Sequence, residues 1–347
     1  MTEANRWQTE KRMVSFNLVC RFAYQKLNGW RPILRPRGAE IFFFIAGSIM
    51  LALGVPILVA SLRVKEYSAR YDNIGPFAGL SSQQQQQALW SASDAGIVYS
   101  FNIYVEEDME PPIYVVYELG SFRQNYRRYV RSYDAKQMHD GGNLPGASAC
   151  QPYQYEGDGV NSSLPYDGAV LPCGQISHSY FNDSFTVLIN GNQEAIDDSS
   201  IAWPSDANHL YGDVQAINYN LLPSYRGGNT TFQPLNQAQH WMVWQRVGGQ
   251  VPVQKLYGNL GKTRIPAGTN VTITVNNRYN TYAFEGVKKF ILTTNSWVGG
   301  RNLMLPITYL VVSGLSYFFV ILFFVSYDLN FIWKRQPGLE EDFSWNR

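Results

Sequence analysis

Two stretches of the chain lack the usual mixture of apolar and polar positions. Ile41 to Leu62 reads IFFFIAGSIMLALGVPILVASL, 22 residues without a charge. At about 1.5 Å of rise per residue, a helix of this length crosses a hydrocarbon core about 30 Å thick. Leu303 to Val325, LMLPITYLVVSGLSYFFVILFFV, is again uncharged. Each run predicts a transmembrane helix. The other reading, a buried core helix, fits uncharged runs of this length poorly. Pro56 and Pro306 are compatible with spanning, because proline is tolerated in membrane helices. A cleavable signal peptide fits the first run badly: the run is too long, and the 40 residues ahead of it are too extended.

Between the two runs the pattern changes to period two. Val271-Thr272-Ile273-Thr274-Val275 alternates and is followed by Asn276-Asn277, a turn signal. Ile97–Val105 and Ile113–Tyr117 are rich in β-branched and aromatic residues and flank an acidic, proline-containing turn from Glu106 to Pro112. Tyr180-Phe181 precedes another strand-like run, Phe185 to Ile189. A helix is expected at Phe122–Ser132, where Phe122, Tyr126, Tyr129 and Val130 share one face and Arg123, Arg127 and Arg131 another. The Gly-, Pro-, Ser- and Asn-rich stretch from Asp140 to Leu171 reads as loop, and Gln83–Gln87 as a solvated linker or helix edge. No internal repeat is visible. The expected fold class is a membrane protein with two transmembrane α-helices and a mainly β ectodomain. Its divisions are a tail at 1–40, a helix at 41–62, an ectodomain at 63–302, a helix at 303–325 and a tail at 326–347.

Charge orients this layout. Residues 1–40 carry eight Lys or Arg against three Glu, and Lys334 and Arg335 follow the second run. Basic residues stay in the cytosol, so both termini are expected there. Arg63, Lys65, Arg70 and Arg301 on the other side weaken the bias without reversing it. The whole-chain averages, a net charge of +1 with 16% charged and 15% aromatic residues, would also fit a soluble protein.

The outer segment carries four Asn-x-Ser/Thr sequons, at Asn161, Asn182, Asn229 and Asn270, and the tails carry none. Two of the three cysteines, Cys150 and Cys173, lie there too. In an oxidising compartment an isolated pair reads as a disulfide, stabilising by about 3 kcal/mol. The other reading is two free buried thiols. Cys20 is expected to be a reduced cytosolic thiol.

No catalytic frame stands out. His139, His178, His209 and His240 are far apart, without metal-ligand spacing, and read as surface or hydrogen-bonded histidines. Gly258-Asn259-Leu260-Gly261-Lys262-Thr263 ends like a phosphate-binding loop, but Leu256 stands where that loop needs its first glycine, so it reads as a turn. Neither apolar run holds an ionisable residue that could mark an ion path. No catalytic, metal or cofactor residue is expected; the pattern points to a binding or accessory role.

Several blocks carry a resemblance. They are Trp30-Arg31-Pro32-Ile33-Leu34-Arg35-Pro36, the Arg-rich Phe122–Ser132, Pro172-Cys173-Gly174, Tyr180 to Phe185, Ile201 to Asp206, Lys255-Leu256-Tyr257-Gly258 and Thr294 to Asn302. In this order, from about Trp30 to Trp345, they resemble the ligand-effect-modulator (cell-division-cycle-fifty) family. Its members are non-catalytic β subunits of type IV P-type ATPases, the lipid flippases. The resemblance implies a heterodimer with an ATPase α subunit, contact with membrane lipids and no nucleic-acid partner. It implies a role in the partner's folding and export from the endoplasmic reticulum, and in the cycle that moves phospholipid to the cytosolic leaflet. Residence in endoplasmic reticulum, Golgi/endosomal and plasma membranes follows. So does a glycosylated, disulfide-bonded ectodomain built as an antiparallel β sandwich with helical insertions.

Cys150 and Cys173 match the family's later cysteine pair. The additional cysteines usual ahead of the Arg-rich block are absent from Glu66–Leu119, which bears on the fold there and suggests a divergent member. Trp30, Arg31, Arg35 and Arg37 are candidates for contact with acidic partner segments or anionic lipid, or act only as a topology signal. Arg123, Arg127 and Arg131 are either a partner contact or a solvated face with internal ion pairs. The competing classes are an independent cell-surface receptor or adhesion module, and a membrane-anchored hydrolase.

Overall fold

The structure, a computed structural model, describes residues 22–23, 36–92, 95–157, 159–219 and 233–328. These fall into two compact units, divided at Val55/Pro56 and Met304/Leu305. Trp30, Arg31, Arg35, Cys20 and Asn229 lie outside the described residues.

Helix α1 spans Pro36–Arg63, and the last long helix spans Met304–Phe323, followed by a π turn at Phe324–Asp328. Both are long and apolar enough to cross a membrane. Their apolar side chains face outward: Phe42, Ile45, Ile49, Val311, Leu315 and Phe318 are each more than half exposed. A soluble core helix would bury them, so the core-helix reading is set aside and the chain is a membrane protein. Within the first unit the two helices meet on small residues. A Cβ on Gly47 would lie 3.1 Å from Ser316, and one on Gly54 3.1 Å from Tyr309. Ser313 Oγ donates to the Gly47 carbonyl at 2.9 Å, and Phe43 stacks on Phe319 at 5.2 Å. Small residues and interhelical hydrogen bonds replace the hydrophobic effect as the cohesive force between helices in lipid.

The second unit is a pair of antiparallel sheets. Strands β1 (Glu66–Arg70), β3 (Ile113–Leu119), β6 (Val253–Asn259) and β8 (Lys288–Thr294) form one, in the order β1-β8-β3-β6. Strands β2 (Ile97–Tyr104), β4 (Ser184–Ile189), β5 (Asn192–Glu194) and β7 (Asn270–Asn277) form the other, in the order β2-β7-β4-β5. The inner faces meet through rings: Phe101 on β2 and Phe185 on β4 pack against Phe290 on β8 at 6.2 and 5.0 Å. The alternation of Val271, Ile273 and Val275, all fully buried, is the period-two signal of a strand with one face in the core. This is the sandwich that the resemblance implied.

Two local expectations are corrected. The helix expected at Phe122–Ser132 is a single turn, α3, at Arg127–Val130. Gln124 Oε1 accepts from Gly248 N at 2.7 Å and Asn125 Nδ2 donates to the Gly249 carbonyl at 3.1 Å. These long-range bonds hold residues 122–126 out of the helix. Phe122 and Tyr129 are buried, whereas Tyr126 and Val130 are exposed, so the expected apolar face is split. Asn276-Asn277 is not a turn: β7 runs through both residues, and buried Asn277 donates to Tyr99 Oη at 3.1 Å and Tyr282 Oη at 3.3 Å. The turn between β2 and β3 carries the chain from one sheet to the other.

The cysteine-free stretch Glu66–Leu119 supplies Tyr71, Phe77, Leu89, Phe101 and Val115 to the core. Helix α2 (Ser82–Ala92) contains the glutamine run, and Gln85 turns inward to donate to the Phe77 carbonyl at 2.9 Å. Tyr99 Oη donates to the Tyr71 carbonyl at 2.6 Å, and the Phe77 ring packs between Tyr99 and Tyr282.

Candidate functional site

The most enclosed charges form a hub between the sheets. Lys288 Nζ donates to Asp183 Oδ2 at 2.8 Å, and both side chains are 0% exposed. Lys288 Nζ also donates to Asn277 Oδ1 and the Tyr279 carbonyl, and lies 5.2 Å from the Tyr71 ring centre. Asp183 accepts from Tyr71 Oη at 2.8 Å and from the backbone N–H groups of Arg278 and Tyr279, each at 2.6 Å. Burial pushes the Lys288 ammonium below its ordinary range, while Asp183 pulls it back up. Nearby, Asp72 Oδ1 accepts from Lys288 N at 2.9 Å and its carboxylate receives the Arg70 fork. The Lys288–Asp183 pair is structural: its hydrogen bonds close inside the sandwich, and only the Arg70 end of the cluster reaches solvent.

A second ordered region surrounds the disulfide that joins Cys150 and Cys173 (Cα–Cα 5.7 Å). Helix α4 (Ala135–Asp140) is capped by Asp134, whose Oδ1 accepts from Lys136 N and Gln137 N. Asp134 Oδ2 accepts from Ala147 N and Asn143 Nδ2, clamping the following loop. Burial raises the Asp134 carboxyl, but the N–H groups of Gln137 and Ala147 outweigh it and hold it below its ordinary range. Helix α5 (Gln175–His178) follows the disulfide.

The arginines are placed differently. Arg123, Arg127, Arg128 and Arg131 are all exposed, and among the described residues none of them is ion-paired. The internal ion pairs of one sequence reading are therefore not seen there. Arg127 and Arg131 are one helical turn apart, but Arg123 precedes the helix, so the three do not form one helical stripe. Arg37 lies near the start of α1. Exposed Tyr126 and Tyr133 flank the arginines, and the Arg–Tyr combination is the one enriched at interaction hot spots.

Sequence reasoning missed a neighbouring surface cluster. Arg246 forks onto Asp206 (Nε 2.9 Å, Nη2 2.5 Å), and its guanidinium sits 5.1 Å from the ring centre of exposed Trp203. Asp206 and Arg246 are 40 residues apart, with no local pattern to pair them. Helix α6 (Gln239–Gln245) leads into this arginine. Lys255 Nζ donates to the carbonyls of Val243 and Arg246 at its C-terminal end, where helical carbonyls lack partners.

Lys255 gives a pH prediction. Burial lowers its ammonium from the ordinary 10.5 to about 8. Between these values the unfolded chain keeps a proton that the native chain has released. This group's contribution to stability therefore rises with pH across that window. Lys255→Met removes the term. The melting temperature of the parent relative to the variant should increase by several degrees between about pH 7 and about pH 10. A constant difference would refute the assignment.

The sequons also separate. Asn161 and Asn270 are exposed, whereas Asn182 is only 9% exposed. It lines a cleft of about 610 Å³ whose walls include Asp198, Asn236, His240, Tyr257 and Arg278. His240 Nε2 lies 2.8 Å from Asp198 Oδ2. Burial lowers the imidazole's proton affinity, opposed by that carboxylate. His139 and His209 are exposed, and His178 stacks on Tyr153 at 4.0 Å. Among the described residues no group of three His, Cys, Asp or Glu could hold a metal. The phosphate-loop look-alike forms the end of β6 and a turn in which Thr263 N donates to the Leu260 carbonyl.

Two long apolar helices and, between them in sequence, a β sandwich with an enclosed ion pair and exposed arginines define a membrane-anchored protein that presents surfaces. The chain belongs to the LEM3 (ligand-effect modulator 3) family / CDC50 family, whose model matches residues 57–332. It is 33% identical over 330 residues to ALA-interacting subunit 3 of Arabidopsis thaliana, covering 94% of this chain and 90% of the relative. It is 28% identical to Cell cycle control protein 50A of Bos taurus, covering 85% and 84%. Phospholipid-transporting ATPase accessory subunit CRF1 of Saccharomyces cerevisiae is 26% identical, with 91% and 85% covered.

Proposed function

We propose that this chain is the non-catalytic β subunit of a phospholipid-transporting P-type ATPase, forming a heterodimer with the α subunit. The observation that carries the reading is near-full-length similarity to proteins named as accessory subunits of such ATPases and as ALA-interacting subunits. The two apolar helices lie beside the partner's helices in the bilayer, and the sandwich covers its outer loops. Both termini are cytosolic and the sandwich is lumenal or extracellular, consistent with the basic N-terminal tail. The subunit supports the partner's folding, its export from the endoplasmic reticulum and its transport cycle, in Golgi/endosomal and plasma membranes. Asn161, Asn182, Asn229 and Asn270 are the glycan acceptors. Trp30, Arg31, Arg35 and Arg37 meet the partner or anionic headgroups at the cytosolic face.

Arg123, Arg127 and Arg131 contact acidic partner segments, because they are exposed charges that no carboxylate of the described residues neutralises. The test is affinity purification of the tagged chain in mild detergent with quantification of co-eluting proteins. A P-type ATPase in near-equal amount is expected. A clean, glycosylated chain without ATPase would overturn the reading in favour of an independent receptor. Replacing the three arginines with Gln should reduce ATPase recovery about tenfold or more, since hot-spot truncations each cost about 2 kcal/mol or more. Unchanged recovery would remove these residues from the interface.

A further inference from the structure

We infer that the cleft beside Asn182 seats the first sugars of a glycan carried on Asn182 itself. The sequon is Asn182-Asp183-Ser184, and both neighbours of Asn182 are immobilised. Asp183 is the buried anion of the hub, held by four donors. Phe181 stacks on Tyr117 at 3.8 Å, and Ser184 opens β4 opposite Asn276 of β7. Asn182 is therefore fixed in place, nine-tenths buried, on the wall of an open cleft of about 610 Å³. That volume is within the roughly 300–1,000 Å³ of small-ligand sites.

The lining has the chemistry of a saccharide site. Tyr257 and His240, with rings 4.6 Å apart, offer aromatic faces for the C–H side of a sugar ring. Asp198 accepts, Arg278 donates, and Asn236 and Gln237 do both, matching hydroxyls and an N-acetyl group. The exposed sequons differ: Asn161 is on a turn, its Oδ1 accepting from Ser163, and Asn270 opens β7 with solvent around it. Neither Asn161 nor Asn270 lines this cleft.

Enclosure also sets the order of events. In the transfer, Asn182 Nδ2 bonds to the anomeric carbon of a lipid-diphosphate-linked oligosaccharide. The bond from that carbon to the diphosphate oxygen breaks, the lipid diphosphate leaves, and the amide loses one proton. An asparagine held as in the folded chain cannot reach such an enzyme's active site. The sugar is added before β4 pairs with β7, and the sandwich then closes around it.

The inference rests on the reading of Asn182 as an occupied sequon. The full-length chain is purified with its co-eluting ATPase and treated with peptide N-glycosidase in heavy-oxygen water, before and after denaturation. Each released site is read as labelled Asp by mass spectrometry. Release at Asn182 should be about tenfold or more slower in the native protein, because access requires local opening. An unoccupied Asn182, or equal native and denatured rates, overturns the proposal. In Asn236→Ala/Gln237→Ala, occupancy should stay unchanged while native release at Asn182 accelerates several-fold. An unchanged rate would assign the protection to enclosure alone and overturn the seat. ATPase recovery is read in the same eluate, so failure here leaves the subunit reading standing, and the reverse.

Discussion

Lys288→Met should lower stability by about 3–5 kcal/mol, because it strands the Asp183 carboxylate in the core without its cation. The pair is 2.8 Å apart with both side chains fully buried. Asp183 would keep its bonds from Tyr71, Arg278 and Tyr279, but the negative charge would have no counter-ion in a medium that solvates it poorly. Lys288 would no longer bridge Asn277 and the Tyr279 carbonyl, so the loss reaches both sheets. For a domain of this size the melting temperature should drop by roughly 6–20 °C. Tryptophan fluorescence of the chain in detergent would measure it. Lys288→Met combined with Asp183→Leu should recover part of the loss, since replacing a whole buried pair by apolar groups is often close to neutral. A shift below about 2 °C for the single variant would mean that water reaches the pair.

Gly174→Ala should cost about 2–6 kcal/mol, the sum of a forbidden backbone conformation and a steric clash. Gly174 has φ 99° and ψ 169°, a region that only glycine adopts readily. A Cβ there would stand 2.1 Å from the Ser132 carbonyl oxygen and 2.6 Å from its carbon. Relaxation is blocked on both sides. Cys173 is tied to Cys150 and its N–H donates to Gln137 Oε1. Ser132 Oγ accepts from Gln175 N, and Ser132 N donates to the Tyr129 carbonyl. Any shift would move the end of the arginine-bearing segment, so ATPase recovery should fall with stability. Gly191→Ala is the control: it also has positive φ (82°), but its Cβ would meet nothing within 4 Å. It should cost about 1 kcal/mol. Equal losses in the two variants would show that conformation alone, not the contact with Ser132, makes Gly174 necessary.

Much of the architecture was legible wherever the signal is carried by one segment alone. A run of 22 uncharged residues has to leave water, and no distant contact is needed to say so. Phe185–Ile189 and Val271–Val275 read as strands because one face of each enters the core. The helix expected at Phe122–Ser132 does not form because its 3.6-residue pattern competes with the hydrogen bonds that Gln124 accepts from Gly248 and Asn125 donates to Gly249, more than a hundred positions away. The Asn276-Asn277 turn failed for the same reason: Asn277 finds its partners on Tyr99 and Tyr282 inside the sandwich.

By itself the sequence determined the two spans, the β-rich segment between them, a cysteine pair that can close one loop, and the family blocks. These follow from composition, local periodicity and order along the chain. Only the tertiary structure decided that Asp183 meets Lys288, that Asp206 meets Arg246 and that Asn182 lines a cleft. Those partners are far apart in sequence, and a charge carries no mark of whether it will be buried. Sheet pairing brings such side chains together, and their desolvation then makes each contact consequential.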